Sequence, residues 1–197
     1  SDDSTADARA WFARATALAV RAVEADPLEP EAHFVHGVTL LWGRKHEDAI
    51  KAQQRALALD PNFARAHVAL GLVMHYVGRS AESFPHFDQA TRLDPLSEDS
   101  QLHFKAPAYA SPGRWNDAVA MLKRRIELNP ETDMSRVLLA ACYGHLGMKE
   151  EARAAWADAL RVNPDYSIEH RRRSLPYKDP AEFDRVYGGL AMAGISA

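Results

Sequence analysis

Histidine is the residue type of this sequence that could most readily do chemistry, because nine of its 197 residues are histidines. His33 and His36 are one helical turn apart, and His67 follows His33 by 34 residues. Imidazole is a common zinc ligand, but zinc needs three or four ligands at about 2.0–2.3 Å with supporting carboxylates. No third ligand is evident at these positions. We therefore predict no metal and no cofactor, and expect these histidines to pack.

The other reactive side chains also predict no catalytic site. Cys142 is the single cysteine and lies beside Tyr143 in an apolar stretch, which is typical of a small core residue rather than a nucleophile. The sequence has neither a glycine-rich phosphate loop nor a Gly-x-Ser-x-Gly elbow. The run His170-Arg171-Arg172-Arg173 could bind a phosphate or an acidic partner, although a solvated helix face is the favoured interpretation. We predict a protein that is not an enzyme.

The composition restricts the partners. Lys and Arg number 24 and Asp and Glu number 27, so the net charge of −3 argues against nucleic acid as a partner. No apolar run approaches the roughly 18 to 20 residues of a membrane span, so we expect no membrane insertion. The sequence begins Ser1-Asp2-Asp3 without a methionine or an apolar leader, which predicts a cytoplasmic chain that is processed or part of a larger protein.

An internal repeat organises the chain. An Asp-Pro or Asn-Pro pair ends each of five helical stretches, and the prolines follow one another at 34 or 35 residues. A glycine 17 or 18 residues before each later proline is expected to end one helix and open a turn to the next. These glycines are Gly43, Gly78, Gly113 and Gly147. Small residues recur in phase at Gly37, Gly71, Ala106 and Ala140, where we expect helices to approach closely.

This pattern resembles the tetratricopeptide repeat (TPR) family, whose period is 34 residues. The resemblance implies an all-α, right-handed superhelical solenoid of antiparallel helix pairs. Four TPR motifs are expected at residues 28–61, 62–95, 96–130 and 131–164. Four residues depart from the pattern. They are Arg125 at a small site, Gln53 at a bulky site, and Lys105 and His36 at apolar sites.

The two terminal segments flank these motifs. Residues 1–27 are expected to form one long helix of a partial repeat, whose apolar stripe contains Trp11, Ala15, Leu18, Ala22 and Ala25. Residues 165–197 are expected to form a C-terminal cap. In this cap Asp179 starts a final helix that runs past Leu190, and Glu182 bonds back to the capping backbone. The stretch from Arg161 to Pro180 resembles the tail of TPR regions attached to bacterial class III nucleotide cyclases and similar multidomain regulators.

The resemblance further implies a concave groove lined by the first helices of the pairs, in which a peptide or helix binds. The matching positions are Phe34, Val38, Leu41, Arg65, Val68, Leu72, His75, His103, Pro107, Ala110, Met134, Val137, Ala141 and Gly144. This lining is mainly apolar, which favours an amphipathic helix or an apolar extended segment over a C-terminal carboxylate. The alternative is that these residues pack against the chain's own termini.

Pro107 falls inside one of these first helices, where a proline removes a hydrogen bond. A kinked or shortened helix is expected there, and the favoured interpretation is that Pro107 starts a loop reaching Gly113.

Two functional hypotheses follow from the sequence. The first is a non-catalytic scaffold that binds a protein or peptide partner, as a module of a bacterial regulatory or signalling protein. The second is self-assembly into a homo-oligomer, through the apolar stripe of the first helix or through the end helix near Phe183 and Tyr187.

Overall fold

The structure is a computed structural model that describes the backbone of residues 2–196 and the side chains of residues 10–196. Within that range the chain forms helices and no strands. The helices are α1 (Asp2–Ala25), α2 (Pro30–Trp42), α3 (His46–Leu59), α4 (Ala64–Tyr76), α5 (Ser80–Leu93), α6 (Glu98–Ala110), α7 (Trp115–Leu128), α8 (Asp133–His145), α9 (Lys149–Val162), α10 (Ile168–Ser174), α11 (Pro180–Tyr187) and α12 (Gly189–Met192).

Eight of these helices form four consecutive pairs, α2/α3, α4/α5, α6/α7 and α8/α9, and α1 packs on α2. The first helix of each pair has 13 residues and the second has 14. The second helices α3, α5 and α7 also contact the first helix of the next pair, so the pairs stack in chain order. The predicted all-α solenoid of helix pairs is confirmed.

Small residues let the two helices of a pair approach, as the period predicted. A Cβ atom added to Gly71 would lie 3.0 Å from the ring of Phe87, which is 1% exposed. At the same position in the first pair, Gly37 packs against the side chain of Gln53. The amide nitrogen of Gln53 donates to the Phe34 carbonyl at 3.0 Å. The buried amide of Gln53 thus replaces the large apolar side chain that the later pairs carry there.

The turn between the helices of the first pair differs from the prediction. Gly78, Gly113 and Gly147 adopt positive φ angles of 83°, 86° and 75°. In the first pair the positive φ of 58° belongs to Arg44, whereas Gly43 has a φ of −79°. The left-handed position is therefore one residue later than Gly43, in register with the other three glycines.

The expectation for Pro107 was wrong, because α6 continues through this residue to Ala110 and keeps the full 13 residues. Pro107 lies in the last helical turn, where it removes a single backbone hydrogen bond. The helical hydrogen-bond pattern continues past the proline, because the Ser111 N–H bonds the Pro107 carbonyl at 3.1 Å. The cost of the proline is thereby confined to the end of the helix.

The C-terminal helices pack back on the array. Asp179 caps α11 as predicted, accepting from the Ala181 N–H at 2.9 Å. Glu182 does not bond back to the cap, because its carboxylate instead accepts from the Ser111 hydroxyl at 3.3 Å and pairs with Arg185 at 3.0 Å. The predicted single final helix is divided at Gly188 into α11 and α12.

Candidate partner-binding groove

The first three pairs form an open pocket of about 420 Å³ between α2, α4 and α6. Five of the residues predicted for the groove lie in it, namely Phe34, Val38, Arg65, Val68 and Leu72. The remaining lining residues are Trp42, Ala64, Ala69, Asp94, Ser97, Ser100, Gln101 and Phe104. The volume falls within the range of about 300–1,000 Å³ that is usual for ligand pockets. We call this space the N-terminal groove.

An aromatic and cationic cluster forms one end of the N-terminal groove. The rings of Phe34 and Phe63 are 5.2 Å apart, and the Arg65 guanidinium lies 5.0 and 5.2 Å from their centroids. Arg65 also forms an ion pair with Glu31. Because Glu31 already neutralises Arg65, this end of the groove provides no unpaired cation for a partner's terminal carboxylate.

The wall formed by α6 and the loop before it is polar. The Gln101 side chain donates its amide to the Asp94 carbonyl and accepts from the Thr91 hydroxyl at 2.7 Å. The Ser97 hydroxyl bonds the Asp94 carboxylate, and the exposed Ser100 hydroxyl donates to the Ser97 carbonyl at 3.0 Å. The N-terminal groove therefore has an apolar wall on α2 and α4 and an acidic, hydroxyl-rich wall opposite.

The histidines that suggested a metal site brace loops instead. His33 Nε2 donates to the Pro27 carbonyl at 2.9 Å, and His67 Nε2 donates to the Pro61 carbonyl at 3.0 Å. The two residues at the next repeat positions do the same with other side chains. These are Gln101, which bonds the Asp94 carbonyl, and Arg136, which bonds the Thr132 carbonyl. The 34-residue spacing of His33 and His67 thus marks a repeated structural role that the sequence interpretation missed.

His67 has a second neighbour, His86, whose Nδ1 lies 3.3 Å from the Nδ1 of His67. Burial, reinforced by the nearby His67, lowers the pKa of His86. In the tautomer that carries the His67 proton on Nε2, as its bond to the Pro61 carbonyl requires, the His67 Nδ1 accepts from the His86 Nδ1–H. The pair forms a hydrogen bond between neighbouring helices.

The C-terminal part of the predicted groove is not open, and six of the predicted lining residues are buried. His75, Ala110, Val137 and Ala141 are fully buried, and Gly144 is buried as well. In the first pair, Leu41 is 2% exposed in the core. Met134, His103 and Pro107 remain partly buried. The alternative interpretation, in which the chain's own terminus covers the groove, therefore applies to this half.

Helix α12 covers α8 through contact between two glycines. A Cβ atom on Gly144 would lie 1.8 Å from the Gly189 carbonyl oxygen, and one on Gly189 would lie 1.9 Å from the Ala141 carbonyl oxygen. His145 Nε2 donates to the Val186 carbonyl at 3.1 Å. Only glycine at both positions permits this backbone approach.

Residues 173–179, which we call the C-terminal strap, cross the turns of the first two pairs. Arg44 donates to the carbonyls of Arg173, Leu175 and Tyr177 at 2.9, 2.9 and 3.1 Å. Further contacts add to this attachment. They are His46 Nε2 to the Pro176 carbonyl at 2.7 Å, the Lys178 N–H to the Tyr76 carbonyl at 2.9 Å, and Lys178 Nζ to Glu47 at 2.9 Å.

The side chain of Tyr177 anchors the C-terminal strap in the core. Its hydroxyl lies 3.0 Å from His75 Nε2, and His75 Nδ1 lies 3.2 Å from the Ser80 hydroxyl. Burial lowers the pKa of His75 to about 3, so its imidazole is neutral at neutral pH.

His103 is also neutral, because burial and the nearby Arg125 and Arg171 lower its pKa to about 4.

The basic run in α10 is occupied by contacts within the chain. Arg172 pairs with Asp184 and lies 3.7 Å from Glu169, and Arg173 pairs with Glu169 at 3.2 Å. Arg171 is half-buried beside Tyr187. Cys142 is fully buried, and burial raises the pKa of its thiol to about 12, so the thiol is protonated at neutral pH. These groups stabilise the cap and the core.

Stacked helix pairs that leave a half-open concave groove define the chain as a helical-repeat solenoid of the kind that mediates protein–protein interactions. Comparison with protein families makes this specific. A family described as "TPR repeat" matches residues 45–78, and one described as "Tetratricopeptide repeat" matches residues 105–168. Residues 45–78 and 105–168 therefore match tetratricopeptide repeats, which confirms the resemblance seen in the sequence.

Two curated relatives illustrate how far the likeness extends. A 45-residue segment, 23% of the chain, is 53% identical to the Rhizobium meliloti (strain 1021) protein named "Putative adenylate cyclase 3" and covers 8% of that protein. A segment covering 52% of the chain is 27% identical to the photosystem I assembly protein Ycf3 of Acaryochloris marina (strain MBIC 11017) and covers 60% of it. The chain thus spans less than two thirds of either relative.

Solved structures share the fold. PilW, a type IV pilus biogenesis factor, matches with a TM-score of 0.73 and 21% identity over 93% of this chain and 81% of its own. YrrB, described as a TPR protein with an unusual peptide-binding site, matches with a TM-score of 0.62 and 19% identity over 89% and 90%. Between residues 2 and 196, no helix is both long and apolar enough to cross a membrane.

Proposed function

We propose that this chain is a non-catalytic scaffold that binds one short amphipathic segment of a partner protein in the N-terminal groove. The observation that carries the proposal is the accessibility of this pocket, about 420 Å³ in volume, while the chain's own C-terminal helices fill the rest of the concave face. The groove residues assigned to the partner are Phe34, Val38, Arg65, Val68 and Leu72, now joined by Trp42 and Phe104.

The two walls of the N-terminal groove specify the chemistry of the partner. Val38 and Val68 are half-buried on the apolar wall and suit aliphatic or aromatic side chains spaced one helical turn apart. Asp94 contributes a carboxylate to the opposite wall, and Glu31 neutralises Arg65. A partner segment with an apolar face and a basic or hydroxyl-bearing face complements both walls.

The cellular setting belongs to the same proposal. The 45-residue likeness to the Rhizobium protein supports a role in a bacterial regulatory or signalling protein, acting in the cytoplasm. In that role the chain contributes recognition, and any catalysis belongs to another domain.

Selection from a random peptide library, followed by anisotropy measurements on a labelled selected peptide, tests the proposal. We expect the selected peptides to combine apolar residues at helical spacing with a Lys or Arg. Val38→Glu and Val68→Glu should each weaken binding by at least about tenfold, because a carboxylate would then lie against the apolar wall.

Val20→Glu provides the matched control, since Val20 is a 36%-exposed valine on α1, outside the N-terminal groove. It should bind the peptide as the unsubstituted chain does, and circular dichroism should show the same helix content in all variants. Leu72→Glu is less informative, because Leu72 is 8% exposed and the substitution threatens the core. Equal binding by Val38→Glu and the unsubstituted chain would refute the groove assignment.

A further inference from the structure

Helix α1 carries an apolar face that the described part of the chain leaves uncovered. Trp11 and Leu18 are 66% and 52% exposed, and the exposed Ala15 and Ala22 lie on the same face. Beside them Val35 of α2 is 39% exposed. A shallow groove of about 680 Å³ runs between the two helices.

The repeat register shows that this face has the residue types of a buried contact. Ala15 and Ala22 of α1 correspond, at steps of 34 or 35 residues, to residues of the other second helices that are all small except Arg125. The counterparts of Ala15 are Ala49, Ser83, Ala118 and Ala152, and those of Ala22 are Ala56, Ala90, Arg125 and Ala159. All of these counterparts are at most 6% exposed, and seven of the eight are fully buried.

The difference in burial has a simple origin. Helices α3, α5 and α7 each pack between two first helices, whereas α1 packs chiefly against α2. Val35 shows the same deficit, because its counterparts Ala69 and Leu138 are 7% and 3% exposed and the third, Phe104, is partly buried. The uncovered face is therefore the position of a missing helix rather than an ordinary exposed surface.

The start of α1 shows that the missing helix is not joined to α1 by the tight turn used in the other pairs. The other second helices begin at His46, Ser80, Trp115 and Lys149, directly after the tight turn that joins them to their first helix. The corresponding residue of α1 is Phe12, but α1 is already helical from Asp2. No tight turn at this point folds a first helix back onto the face.

The face is complementary to itself. Trp11, Ala15, Leu18 and Ala22 alternate large and small side chains at helical spacing. When two α1 helices pack antiparallel about an axis between residues 16 and 17, Trp11 lies opposite Ala22 and Leu18 opposite Ala15. Such mutual fitting of one patch is what a two-fold homodimer interface requires.

We propose that α1 is a homodimerisation surface on which a second copy of this chain docks its own α1 in antiparallel orientation. On α2, Val35 lies in this interface while Val38, about one turn further on, lies in the N-terminal groove. The dimer therefore presents two free grooves, and the proposal is independent of what those grooves bind.

Light scattering on a sizing column, across a concentration series, tests the dimer. The expected mass is twice 21.9 kDa for the unsubstituted chain and 21.9 kDa for Ala15→Glu, whose carboxylate would be buried in the interface. Ala17→Glu is the matched control, because Ala17 is exposed on the opposite side of α1, and it should remain a dimer. A monomer at all concentrations, or a dimer that persists in Ala15→Glu, would overturn the proposal.

Exchanging the large and small residues tests the antiparallel register. Trp11→Ala and Ala22→Trp should each raise the dimer dissociation constant at least about tenfold, by removing the fit or by opposing two large rings. The double variant restores a large residue opposite a small one at each end and should recover most of the affinity. Additive losses in the double variant would contradict this register, and a dimer broken by Val38→Glu would place the interface in the N-terminal groove instead.

Discussion

At the scale of single residues, His75 makes the fold sensitive to acid. Burial lowers the pKa of His75 from 6.5 to about 3, so the unfolded chain binds more protons than the folded chain between these pH values. The free energy of unfolding must therefore fall as the pH falls through this window. The contribution of His75 is about 2 kcal/mol between pH 7 and pH 5.

Urea unfolding of His75→Gln at both pH values tests this effect. Glutamine keeps a donor and an acceptor for Ser80 and Tyr177 without titrating, so the loss of stability between pH 7 and pH 5 should shrink by about 2 kcal/mol. In this variant the stability still falls with falling pH, because burial also lowers the pKa of His103, to about 4. The exposed His170 supplies the control, His170→Gln, and an unchanged pH dependence in His75→Gln would contradict the assignment.

The residues also show why some of the candidate site could be predicted and some could not. Phe34 and Val68 lie in the groove as the repeat register predicted, because that register alone decides which side a first-helix residue takes. Val137 has the same register, yet it is fully buried in the half of the face that the non-repeating C-terminal segment and helices cover. A periodic pattern carries no information about where a non-periodic tail folds.

At the scale of elements, the contact of α8 with α12 depends on a glycine. In Gly144→Ala the new methyl group would lie 1.8 Å from the Gly189 carbonyl oxygen, and backbone cannot rotate away as a side chain could. We expect α11 and α12 to separate from α8, with a loss of about 1–3 kcal/mol of stability. Hydrogen exchange should accelerate across residues 180–196.

Gly147→Ala is the control for that experiment. Gly147 has a φ of +75°, and a Cβ atom there would meet nothing within 4 Å. The substitution Gly147→Ala should lower the free energy of unfolding by about 1–2 kcal/mol through backbone strain, without accelerating hydrogen exchange in α12. Equal exchange of α12 in the two variants would refute the close packing of the glycines.

The elements themselves were largely predictable, since proline ends and in-phase small residues define each helix pair within one period. Pro107 was misjudged because sequence alone does not distinguish a proline in the last turn of a helix from one that ends it. Arg44 was missed for a different reason. A residue with a side chain rarely adopts a positive φ, so the adjacent Gly43 drew the prediction.

At the scale of the whole molecule, the C-terminal strap joins the two ends of the array. In most repeat solenoids each repeat contacts only the neighbouring repeats, so the helix pairs can unfold separately. Here Arg44 contacts carbonyls 129 to 133 residues further along the chain. Arg44→Gly suits the positive φ better, a gain of about 1–2 kcal/mol, but loses three hydrogen bonds from a charged donor.

We expect the loss of the three hydrogen bonds to outweigh the gain from the positive φ, so that the first pair unfolds independently of the last pair. In the unsubstituted chain, hydrogen exchange should give α3 and α9 similar opening free energies, whereas in Arg44→Gly that of α3 should fall below that of α9. Lys45→Gly is the control, because Lys45 caps α3 without a side-chain hydrogen bond. Equal values for α3 and α9 in Arg44→Gly would show that the strap does not couple the ends.

The C-terminal strap also sets the order in which the fold is completed during synthesis. The first pair leaves the ribosome early, but Arg44 and His46 must wait for Leu175, Pro176 and Tyr177 near the end of the chain. Contacts of such wide sequence separation form late, because the loop they close is long. The oldest helices of the nascent chain are therefore the ones that depend on its newest residues, and the half of the molecule with the open groove is finished last.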